Sequence, residues 1–94
     1  MARTRAPKRQ EAVIKKSVLA AEIVRIIRDR GLTQTEAAYV VRDAPSQLSL
    51  IINGHLVGFS AERLIRLLAR FGRDVEIVVR RAKRGAGKVR IVVR

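Results

Sequence analysis

Residues 33–54 leave the chain little choice of local structure. Thr33-Gln34-Thr35-Glu36 has the spacing of a capping box. The Thr33 hydroxyl accepts from the Glu36 amide while the Glu36 carboxylate reaches back to the Thr33 amide. A helix starting there runs through Ala37, Ala38, Val40 and Val41 and ends near Arg42. After a break at Arg42-Asp43-Ala44, Pro45 stands where a first-turn proline is tolerated, because the N–H it lacks has no partner in that turn. The helix it opens carries Leu48, Ile51 and Ile52 inward, and Asn53-Gly54 closes it. Two short helices separated by only three residues are the reading that accounts for this stretch.

The flanking segments supply apolar faces for such a pair. Leu19, Ile23, Ile26 and Ile27 share one helical face, since positions i, i+4, i+7 and i+8 line up at 3.6 residues per turn. Ser17 is the expected cap of that helix, which runs to about Arg30, and Gly31 is its expected left-handed stop. Ser60 caps a further helix in which Ala61, Leu64, Ile65, Leu68 and Phe71 form a face, and Gly72 ends it. From Asp74 the apolar period changes to two. Val75, Ile77 and Val79, then Val89, Ile91 and Val93, alternate with other residues on either side of a loop at 81–88 softened by Gly85 and Gly87. That alternation predicts a β-hairpin with one aliphatic face. An isolated two-stranded hairpin is marginal in water. A second copy paired about a two-fold axis is therefore expected, with those six residues as the dimerisation element.

Composition bounds the rest. Ninety-four residues make one core, and with aromatics at 3% that core is built from Leu, Ile, Val and Ala. The absence of cysteine excludes disulfides, thiolate zinc sites and thiol catalysis. No apolar run approaches the roughly 18–20 residues that cross a bilayer, and the basic N-terminus lacks the apolar stretch of a secretory signal. A cytoplasmic location away from membranes is expected. The formal charge of +13 is unevenly spread. Residues 1–16 hold six basic residues against Glu11 and residues 80–94 hold seven with no acid, while 17–79 carry eight basic and seven acidic residues. A nearly neutral body with two cationic ends points to a polyanionic partner, although a charge run alone is often only a solvated surface.

Two helices joined by a tight turn, the second presenting its N-terminal half to the major groove, define the helix-turn-helix unit. Gln34–Ile52 has its spacing, with the small Ala38 where the helices cross. The segment resembles the repressor-like (Cro/XRE) helix-turn-helix family, whose sequences often read L-T-Q-x-E-A-A before a break and a recognition helix ending in N-G. Here those residues are Leu32-Thr33-Gln34-Thr35-Glu36-Ala37-Ala38 and Asn53-Gly54. The chain is most similar to the HigA-type antitoxin branch, from Ser17 to about Arg80, including the Gly-Arg-Asp-Val-Glu-Ile-Val-Val run at 72–79. The expected fold class is thus mostly α with a C-terminal β-hairpin: a four- to five-helix repressor-like domain at 17–72, a basic, disordered arm at 1–16 and the hairpin at 73–94. The family usually has glycine, an apolar residue and Ser or Thr where this chain has Arg42, Asp43 and Ala44. Asp43 is placed to take over as cap.

The resemblance assigns the DNA contacts to Gln34, Pro45, Ser46, Gln47, Leu50 and Asn53. Gln34 would position a phosphate at a helix N-terminus, against its plainer use as a helix former. Gln47 can read adenine through its amide, and Ser46 can reach a base edge or phosphate. Leu50 touches a thymine methyl or fills space, and Asn53 doubles as a C-cap. Tyr39 is expected to be a half-buried surface aromatic and His55 an exposed loop residue. Gly85-Ala86-Gly87-Lys88 fails as a phosphate loop, because Ala82 occupies the first glycine position, Val89 replaces Ser or Thr, and no helix follows. The carboxylates sit at helix starts where the dipole accounts for them. Neither an enzyme nor a cofactor is expected. Three functions are compatible with these features. One is an autorepressing antitoxin that dimerises on a palindromic operator and neutralises a small RNA-cleaving toxin; another is a stand-alone repressor. The third is a basic protein that coats nucleic acid.

Overall fold

The computed structural model describes residues 15–94; nearly all of the expected N-terminal arm lies outside them. Four helices form among the described residues: α1 (Lys16–Asp29), α2 (Gln34–Val41), α3 (Pro45–Ile52) and α4 (Ala61–Arg70). Helix α1 begins one residue before its expected cap. Its N-cap is Lys15, which makes no side-chain capping bond, so Ser17 is not the cap. The Lys16 ammonium instead donates to the carbonyls of Leu56 and Phe59 at 3.1 and 2.8 Å. It thereby pins the start of α1 to the loop before α4. Gly31 turns the chain at φ 63°, as its place after α1 predicted.

The capping box forms in full: the Glu36 amide donates to Thr33 Oγ1 at 3.1 Å and the Thr33 amide to Glu36 Oε1 at 2.8 Å. Ala37, Ala38 and Val41 of α2 are buried, as are Leu48 and Ile51 of α3. The two alanines let the short helices approach closely. Leu19, Ile23, Ile26 and Ile27 close this pair from one side, and Leu64, Leu67, Leu68 and Phe71 from another. Burial of each large side chain contributes roughly 1.5–3 kcal/mol, and no polar residue is buried among the described residues. The core is aliphatic apart from Phe59 and Phe71.

The expected C-terminal β-hairpin is absent: no strand forms among the described residues. Residues 73–94 run on from α4 without regular structure and bend through 83–86. The chain doubles back there, so that a Cβ on Gly87 would lie 3.7 Å from that of Ala82. Alternation describes which side chains a strand would bury, not whether a surface exists to bury them. Here the helices close their own core. Only Ile91 of the six alternating residues packs against it, while Ile77 is 76% and Val79 90% exposed.

Arg42 ends α2 at φ 58°, ψ 50°, the left-handed region that glycine adopts most readily. An L-residue with a Cβ is disfavoured there by roughly 1–2 kcal/mol. Arg42→Gly is therefore expected to stabilise the fold by about 1 kcal/mol, after allowance for the greater freedom of glycine in the unfolded chain. Urea unfolding at constant slope would show the midpoint rising, and an unchanged or lowered midpoint would contradict the assignment of strain.

Candidate nucleic-acid interface

Helix α3 has two unlike sides. Leu48 and Ile51 are fully buried, whereas Pro45 and Ser46 are exposed in its first turn and Leu50 is 39% exposed one turn later. Asn53 follows the helix as its C-cap, with Nδ2 donating to the Ser49 carbonyl at 2.8 Å. Its capping use is thus met by its own side chain. Gln34 is exposed at the first turn of α2, beside the capping box. Tyr39 is 85% exposed rather than half-buried, because it lies on the side of α2 away from Ala38 and Val41. His55 is exposed in the loop after α3.

Gln47 stands apart from the other candidates. It is half-buried, and its Oε1 accepts from Arg63 Nη2 at 3.2 Å. The same guanidinium nitrogen donates to Asp43 Oδ2 at 2.9 Å, and the Arg63 group stacks 4.6 Å from the centroid of the buried Phe59 ring. Asp43 does not cap α3. Its Oδ1 accepts from the adjoining Ala44 amide at 2.8 Å, and Ala44 is the N-cap, without a side-chain bond. On the other side of the turn, Arg70 Nη1 donates to the Val41 carbonyl at 2.9 Å, at the end of α2. Arg63 and Arg70 were missed from the sequence. The available signal was their spacing: residues seven apart share a helix face.

Among the described residues no group of His, Cys, Asp and Glu is placed to hold a metal ion, and no helix is long and apolar enough to cross a membrane. A helix-turn-helix domain family matches residues 6–80. A solved structure whose name places it among the XRE family transcriptional regulators is 37% identical, with a TM-score of 0.74 over 83% of this chain and 88% of that one. This chain belongs to the XRE family of helix-turn-helix proteins. No protein of curated function matches it. In this helix-turn-helix protein α2 and α3 are the motif, and α4 braces the turn between them.

The brace is electrostatic as well as geometric. Partial burial pushes the Asp43 carboxyl upward, but the Arg63 bond, the Ala44 amide and the charges of Arg63 and Arg70 outweigh it and hold the group below its ordinary value. A carboxylate depressed in the folded state stabilises fully above its unfolded pKa of ~3.9 and loses that contribution as pH falls through the folded value. Asp43→Asn should therefore be less stable than the parent at pH 6. The gap should close as pH falls below about 4. Chemical unfolding at the two pH values measures it, and a gap that persists unchanged in acid would rule out the ionic brace.

Proposed function

We propose that this chain is a homodimeric, sequence-specific transcriptional regulator that sets α3 in the major groove of a palindromic operator. The observation that carries the proposal is the two-sidedness of α3: Leu48 and Ile51 anchor it in the core while Pro45, Ser46 and Leu50 stand outward along it. Ser46 offers a hydroxyl to a base edge or phosphate, and Leu50 an apolar surface for a thymine methyl. Gln34 at the start of α2 and Asn53 at the end of α3 flank them beside the DNA backbone. Gln47 takes part from a position set by Arg63. The basic residues of 80–94 are exposed and add affinity without sequence choice.

Exposure of Val75, Ile77, Val79, Val89 and Val93 favours a partner chain over this part of the molecule; a second copy is the partner proposed here. The similarity of residues 72–79 to the HigA-type branch supports the finer reading of an antitoxin that represses its own operon. A small RNA-cleaving toxin would then be a further partner for the same exposed segment.

Selection from a randomised duplex pool tests the groove reading and the dimer together. The expected product is a palindrome with half-sites about one turn, roughly 34 Å, apart. Ser46→Ala with Leu50→Ala should lower discrimination between that duplex and random DNA, by around 1–3 kcal/mol for each base no longer read. Asymmetric single half-sites would refute the dimer, and unaltered discrimination would remove α3 from the readout.

A further inference from the structure

Arg42 is the one residue other than glycine with a positive φ among the described residues. A side chain is disfavoured there, and such backbone outliers concentrate where a protein meets a ligand. The Arg42 side chain is exposed, and its guanidinium has no hydrogen-bond or ion-pair partner among the described residues. The neighbouring Asp43 carboxylate is taken instead by Arg63 and by the Ala44 amide. With Arg70 on the Val41 carbonyl, three guanidiniums and one carboxylate gather at the turn. Its surface is therefore cationic.

Arg42 does not stand alone. Thr35, Tyr39 and Arg42 are all exposed, and spacings of four and three residues put them on one outward side of α2. Tyr39, 85% exposed, and Arg42 line one groove with Ala38, Val40 and Asp43. This side starts beside Gln34 and ends three residues before Pro45 opens α3. When a helix-turn-helix pair docks, its first helix crosses the DNA backbone. A phenol hydroxyl and a guanidinium are both donors suited to phosphate oxygens.

We infer that Tyr39 and Arg42 hold DNA phosphates along α2, and that Arg42 keeps its strained backbone because it makes an ionic contact there. That contact adds affinity and carries no sequence information. The inference rests on the reading that α3 enters the major groove.

The test measures binding of the full chain to a selected duplex and to a random duplex of equal length, over a range of salt. Arg42→Gly relieves the backbone, so weaker binding by this variant does not come from a less stable fold. Arg42→Gln keeps the strain and the side-chain stem and removes the charge. In both, each lost phosphate contact should flatten the plot of log K against log salt by about 0.9. A fourfold rise in salt then costs the parent roughly 3.5-fold more affinity than the variant, on either duplex alike. Tyr39→Phe loses a neutral donor and should weaken both complexes by roughly 2- to 10-fold with the slope unchanged. Parental affinity and slope in all three variants would overturn the inference, as would an Arg42 variant that selects a different sequence. An effect in Arg42→Gly that Arg42→Gln does not share would also overturn it, since backbone and not charge would then be responsible. Ser46→Ala with Leu50→Ala is the comparison: discrimination lost there shows that the groove reading stands even where the inference fails. A parent that enriches no duplex would overturn the groove reading itself.

Discussion

The turn between α2 and α3 is three residues long, and its own chemistry is poor. Arg42 sits in a backbone region suited to glycine, and Ala44 has no side chain with which to cap α3. Arg63 and Arg70, seven residues apart on α4, hold the turn from outside: one grips Asp43 after the turn's first residue, the other the Val41 carbonyl before it. The angle of α3, and so everything it presents to solvent, depends on that two-point grip. Helix α4 is itself anchored by Leu64, Leu67 and Leu68 in the core. An outward-facing helix of eight residues, too short to be stable alone, is thus tied to a helix that is itself packed into the core.

The positive charge of the chain divides between two uses. Lys16, Arg30, Arg63 and Arg70 donate to carbonyl or carboxylate oxygens within the fold, where they join helix ends and loops. The basic residues of 80–94 are exposed instead. Net charge therefore overstates what is offered to a polyanion in the helical body and describes the C-terminal segment more faithfully.

What could be read from the sequence were bonds between near neighbours. The Thr33–Glu36 capping box, Pro45 in a first turn, Gly31 and Gly54 as helix stops, and the apolar faces of α1 and α4 all follow from short-range spacings. What could not be read were bonds between distant residues. Arg63 reaches back 20 positions to Asp43. That bond converts an expected helix cap into half of an ion pair, and the same guanidinium nitrogen reaches Gln47 Oε1. The alternation at 74–80 and 89–93 misled for a related reason. A period of two reports a possible buried face, and of that face the protein's own helices receive only Ile91.

One protein surface, formed by the start of α2 and the outward side of α3, is the one proposed to meet DNA. Backbone amide shifts of the isotopically labelled full chain during titration with a selected duplex locate that surface directly. The largest shifts are expected at Gln34, at 44–50 and at Asn53, with smaller ones through the basic C-terminal residues that fade as salt is raised. Shifts confined to the C-terminal segment, with α3 unmoved at any salt concentration, would contradict it.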